Sequence, residues 1–88
     1  MFLEALDQLS PPDIHALAAH GVPHSRVSEW KHGKRLPTRA QALALATVAG
    51  LDFGKLEYEL AILETKKEAE KNVGFLSLLK GLQLVGKL

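Results

Sequence analysis

Between Gly21 and Pro37 two backbone interruptions enclose one short apolar-anchored run, and few folds accommodate that order. Gly21 stops whatever helix precedes it, because glycine tolerates the positive φ at which helices commonly end. Pro23 then forbids smooth continuation and is tolerated mainly where a new helix starts. The spacing predicts a helix over about 24–32, in which Val27 and Trp30, three apart, point to the same side. Gly33 closes that helix, and Lys34 to Pro37 reads as an extended loop. Two short helices joined by so tight a turn cannot each bury a face alone. Neighbouring helices must clamp them, leaving the far side of the second helix free.

The flanking sequence supplies such helices. Phe2 to Leu9 has Leu6 and Leu9 three apart, with Phe2 or Leu3 a turn before, and reads as a short first helix. Ser10, Pro11 and Asp13 form a start signal: a capping hydroxyl, a proline whose missing N–H costs nothing, and a carboxylate that answers the cap. The helix that follows, about 11–20, offers Ile14, Leu17 and Ala18 to a core. Thr38 and Gln41 form a second capping box, opening a helix of about 39–49. There Leu43, Ala46 and either Ala49 or Ala42 are expected to turn inward, and the alanine content favours helix and close packing. Asp52 is the candidate cap of a fifth helix, with Phe53, Leu56, Leu60 and Leu63 on one face. From Glu64 to Asn72 almost every residue is polar, as in a solvated helical extension or a linker, and Gly74 reads as its end. No strand pattern of useful length is present. The expected fold is therefore all-α, a compact five-helix domain over 1–63, a polar stretch over 64–72 and an apolar tail over 73–88 that can form a sixth helix.

Eighty-eight residues make one small domain with little surplus stability. The chain has no cysteine, which excludes a disulfide frame, a thiolate metal site and a thiol nucleophile. Its formal net charge is only +1, but the charges are segregated. Residues 1–23 sum to −3, with Glu4, Asp7 and Asp13, whereas residues 24–39 sum to +4. That second segment carries Arg26, Lys31, Lys34, Arg35 and Arg39 against Glu29 alone. A local cluster of cations is what displaces counterions condensed on phosphates, so the clustering says more than the total.

With Val27 and Trp30 committed to the interior, His24, Ser25, Ser28, Glu29, Lys31 and His32 take the other directions of the helix. His24 and Ser25 lie in its first turn, the part of a docked helix that reaches deepest into a major groove. Serine bonds to several base edges, histidine donates or accepts, and a glutamate accepts from cytosine N4. Arg26, Lys31, Lys34, Arg35 and Arg39 are placed to meet phosphates or the groove edge.

At these residues the chain resembles the helix-turn-helix domains of the phage repressor and Cro class of regulators. The resemblance runs over about 14–50. It rests on Leu17-Ala18 before the turn, Gly21-Val22 within it, then Val27-Ser28 and Trp30, Gly33-Lys34 and Pro37, and Leu43, Ala46 and Gly50. The glycine, basic residue and proline at the exit of the second helix are its most specific part, and Trp30 resembles the inner anchor of a small phage and prophage subgroup. The resemblance implies a motif core of Leu17, Val22, Val27 and Trp30. It implies base contacts at His24, Ser25 and Ser28 or Glu29, and backbone contacts at Arg26, Lys34 and Arg35. It also implies a homodimer on two-fold duplex sites in a bacterial or phage-infected cytoplasm, most often as a repressor. Two departures stand out. The Leu17-Ala18 pair lies one residue closer to the turn than usual, and Pro23 occupies the position where the family commonly has a capping Ser or Thr.

Catalysis is not expected. His15 and His20 are five apart, which shares no helix face, and His24 and His32 are about two turns apart, too far for one metal. No nucleophile triad, phosphate-binding glycine loop or paired carboxylates can be found, so no cofactor and no metal are expected. The tail, from Val73 to Leu88, would line Phe75, Leu78 or Leu79, Leu82 and Val85 along one stripe, with Ser77, Lys80 and Lys87 opposite. Sixteen residues are short for a membrane span, and two lysines attract anionic lipid weakly. Folding back on the core or pairing with a second copy, docking a protein partner in a groove, and lying on a membrane surface are the uses that remain. A regulatory module that binds a protein through 73–88 is the competing functional expectation.

Overall fold

A computed structural model describes residues 1–86, with side chains described for 1–81. Six helices follow one another: α1 Phe2–Asp7, α2 Pro11–Ala19, α3 His24–Lys31, α4 Arg39–Ala49, α5 Phe53–Ala69 and α6 Val73–Gly86. The described residues contain no strand. The fold is all-α.

Short-range chemistry sets most of the helix ends. Ser10 Oγ accepts the Asp13 N–H at 3.3 Å while an Asp13 carboxylate oxygen accepts the Ser10 N–H at 3.0 Å, a complete capping box at the start of α2. Thr38 and Gln41 repeat the arrangement at α4, at 3.2 and 2.9 Å. Asp52 Oδ1 accepts from the Lys55 N–H at 2.9 Å at α5. The first helix has no side-chain cap of its own. The Phe2 N–H, which has no partner within its helix, donates instead to Glu59 of α5, 3.2 Å away, and ties α1 to the middle of α5.

The core gathers Phe2, Leu6, Leu17, Val22, Val27, Trp30, Ala42, Leu45, Ala46, Leu56 and Leu60, one continuous cluster drawn from α1 to α5. Burying each of the larger side chains stabilises the fold by about 1.5–3 kcal/mol. Phe2 and Trp30 sit at its centre, ring centroids 6.3 Å apart and tilted by 53°. That favourable aromatic geometry presses α1 onto the inner side of α3. Phe53 and Leu63 pack at the margin, so the expected face of α5 is the one that turns inward.

Several expectations need correction. Leu43 is not an inward residue of α4. It is 53% exposed, and Ala42, Leu45 and Ala46 are the buried set. Every residue from 42 to 46 is apolar, so periodicity alone leaves the phase open, and packing against α2 and α5 selects the face centred on Leu45. Ala18 is likewise exposed, while Leu17 is fully buried. Gly74 ends nothing. The polar run continues α5 as helix to Ala69, a turn follows, and Gly74 is the second residue of α6. Asn72 Oδ1 accepts the Gly74 N–H at 2.9 Å and so starts the new helix.

The sixth helix folds back along α5, its principal partner. Of the expected stripe, Leu79 is the residue buried, whereas Phe75 and Leu78 are exposed. The side chains of Leu82 and Val85 lie outside the described residues. No helix among the described residues is long and apolar enough to cross a membrane.

Candidate nucleic-acid interface

The link between α2 and α3 is fixed by backbone bonds. The Val22 N–H donates to the Leu17 carbonyl at 2.8 Å and the Gly21 N–H to the Ala18 carbonyl at 3.1 Å. Gly21 adopts φ +88, the left-handed conformation this closure demands. Leu17 and Val22, brought together by the turn, are both fully buried. The end of α3 repeats the device, with Gly33 at φ +71 and the Lys34 N–H donating to the Glu29 carbonyl at 2.9 Å. Both helix exits are therefore closed by backbone hydrogen bonds. Leu36 then packs against the core and anchors the loop that follows.

Pro23 stands at the start of α3 with φ −70 and ψ 158 and makes no side-chain capping bond. Its carbonyl accepts from Arg26 and Val27, the normal first bonds of the helix. Proline at this position therefore leaves α3 without a side-chain cap but with a regular helix start.

Eight residues of α helix span about 12 Å, comparable to the width of the major groove of B-DNA. Val27 and Trp30 are 0% and 1% exposed and face the core. On the other side His24, Ser25, Lys31 and His32 are exposed, and Ser28 and Glu29 are half-buried. The His32 ring is turned back on its own helix, with Nδ1 2.8 Å from the Ser28 carbonyl oxygen. Among the described residues nothing from another helix bonds to His24, Ser25 or Lys31.

The five cations of residues 24–39 are not equally available. Glu29 stands between two of them: Arg26 Nη1 lies 3.4 Å from one carboxylate oxygen and Arg35 Nε 2.9 Å from the other. Arg39 Nε donates to Glu57 of α5 at 3.0 Å, a pair formed across eighteen positions of sequence. Lys31 and Lys34 are exposed and form no ion pair with a described residue. The +4 of the segment is thus lowered locally by the approach of Glu57 and is partly held in internal pairs.

Sequence reasoning missed Lys67. Because α5 continues past residue 63, the Lys67 ammonium returns to the end of α3 and donates to the Gly33 carbonyl at 3.3 Å. It adds a cation beside Lys34 and complements the carbonyl end of the helix. The only hint in the sequence was its place in the polar run, read there as a solvated surface.

A cleft of about 450 Å³ lies elsewhere, lined by residues that include Glu4 and Asp13 but none of α3. Asp13 is committed to its cap. The Ser10 backbone N–H first, and the Ser10 hydroxyl second, hold its carboxyl below the ordinary value of 3.8. No group of three or more metal-ligating side chains occurs among the described residues.

The chain matches no protein-family model, no curated protein and no solved structure.

Proposed function

We propose that this chain is a sequence-specific double-stranded DNA-binding protein that works as a homodimeric, phage-type transcriptional regulator, in the first instance a repressor, in the bacterial or infected-cell cytoplasm. The observation that carries the reading is α3. Its inner side is locked by Val27 and Trp30, while its outer side presents exposed His24 and Ser25 in the first turn and leads at its far end into a cationic exit loop. In the proposed complex α3 lies in the major groove. His24 and Ser25, with Ser28 and Glu29 a turn later, meet base edges. Lys31 and Lys34 meet phosphates, joined by Arg26, Arg35 and Arg39 as they leave their carboxylate partners. Binding is the mechanism, with neither bond-making nor a cofactor: occupancy of an operator blocks or repositions polymerase. Two copies would place their α3 helices about 34 Å apart, one turn of duplex, and the linkage would multiply affinity through effective concentration.

The test is a selection from random duplexes at two salt concentrations, with the mass in solution measured on the same sample. Enriched palindromes together with a dimer mass support the reading. Absence of enrichment at low salt removes it.

A second reading is favoured by a different observation. Along α6, Val73, Phe75, Leu76 and Leu78 remain exposed, from 38% to 79%, which suits a helix that docks a protein partner. On that reading Ser25 and Lys34 are dispensable and Leu78 is not.

A further inference from the structure

The placement of Glu29 has a consequence for how such a protein would tell one duplex from another, and it rests on the DNA-binding reading above. Glu29 is the one acidic residue among the five cations of residues 24–39. It lies on the helix proposed to read the groove and touches two guanidinium groups at once, Arg26 at 3.4 Å and Arg35 at 2.9 Å. The arrangement is built in. The Glu29 carbonyl accepts the Lys34 N–H at 2.9 Å, and this fixes the start of the exit loop, so that Arg35 arrives beside the Glu29 carboxylate. The Arg26 side chain is about two-thirds or more covered; its Nε is buried without an acceptor among the described residues, and its Nη1 is the atom that faces Glu29.

We infer that Glu29 is a specificity-determining internal counterion. It holds Arg26 and Arg35 away from phosphate on an arbitrary duplex and releases them where a base edge supplies a replacement donor. On non-specific DNA, attraction to the backbone supplies nearly all the affinity, in proportion to the number of phosphates neutralised. With two arginines occupied, Lys31 and Lys34 are left to carry that contact from this segment. At a site that presents a cytosine N4 amino group to α3, Glu29 acquires a donor suited to its carboxylate. A carboxylate offers about four acceptor positions, so the amino group can be accepted as the guanidiniums turn outward. Arg26 and Arg35 then reach the flanking phosphates, and the gain in backbone contact is made conditional on the base. The same acidic residue lowers affinity for random sequence and permits it for the chosen one.

The experiment measures binding of the full chain to a random-sequence duplex and to its selected duplex across a range of salt. Glu29→Gln keeps the side-chain shape and removes the charge. It is expected to bind the random duplex about 3- to 10-fold tighter at low salt, with a log–log salt slope steeper by about 1–2. The selected duplex gains little, so discrimination between the two falls by a similar factor. Arg35→Ala provides the second arm. It changes the random-duplex slope little in the wild-type background but flattens it in the Glu29→Gln background, a coupling read from the double-mutant cycle. Helical content measured on each variant establishes that it is folded.

If Glu29→Gln leaves the slope unchanged, or if its gain persists without Arg35, the counterion role is overturned while the DNA-binding reading stands. Wild-type protein that binds neither duplex at low salt overturns both.

Discussion

The backbone N–H of Val22 reaches across the turn to the carbonyl of Leu17 at 2.8 Å, and the two side chains it joins are fully buried. This bond sets how α3 leaves α2, and therefore which side of α3 faces outward. It depends on Gly21 holding φ +88 between them. A Cβ built on Gly21 meets nothing within 4 Å, so any penalty for a larger residue comes from backbone conformation and not from collision. Gly21→Ala is expected to lose about 1–2 kcal/mol in urea unfolding. Gly21→Asn should lose clearly less, since asparagine tolerates the left-handed region. Equal losses for the two would show that space, not φ, limits this position.

Trp30 combines complete burial with an indole N–H that finds no acceptor among the described residues. Removing the N–H should therefore be cheaper than removing the ring. Trp30→Phe keeps most of the contact with Phe2 and is expected to cost under about 2 kcal/mol, whereas Trp30→Ala opens a cavity at about 3–5 kcal/mol. Chemical denaturation of both variants checks the order. Because Trp30 faces inward, Trp30→Phe should leave duplex preference unaltered.

The Ser10–Asp13 box gives α2 a pH dependence of definite sign. Asp13 titrates below the ordinary carboxylate value of 3.8 in the folded chain, because the Ser10 N–H and hydroxyl favour its ionised form. A depressed folded value means the contribution is present above the unfolded value and is lost as pH falls through the folded one. The stability gap between wild type and Asp13→Ala should thus be constant above about pH 5 and shrink as acid is added below pH 4. Urea midpoints at pH 7 and pH 3 measure it. A gap that widens in acid would contradict the assignment.

On the DNA-binding reading, Ser25 and Lys34 differ in kind. Ser25→Ala should change which sequences are preferred, with a loss of about 1–3 kcal/mol on the best site and little on random duplex. Lys34→Ala should weaken all sequences alike and flatten the salt slope by about 1. Binding titrations at several salt concentrations distinguish the two patterns. If Leu78→Ser impairs function in their place, the protein-docking reading of α6 gains.

What could be read from the chain beforehand was local. Caps at Ser10, Thr38 and Asp52 and the stops at Gly21 and Gly33 involve residues three to five apart, and each appears where its chemistry required. The inward pair Val27 and Trp30 was legible because its neighbours are polar and leave one choice of face. Where the surroundings were uniformly apolar, as at Leu43, the sequence contained no contrast from which to choose, and the partner helices decided. Long-range electrostatics were equally hidden. The Arg39–Glu57 pair and the return of Lys67 to Gly33 exist only because α4 and α5 pack together and α5 runs on to Ala69. The double engagement of Glu29 depended on a loop conformation set by the Lys34 amide, though its nearness to Arg26 was visible from spacing alone.

On the DNA-binding reading the outer side of α3 carries the contact, and a map of backbone amide shifts on adding a short random-sequence duplex at low salt tests this most directly. The expected result is a contiguous set of perturbed amides at His24, Ser25, Ser28, Lys31 and Lys34, with α6 between Val73 and Leu79 unmoved. Shifts gathered on α6, or none anywhere on α3, would contradict it.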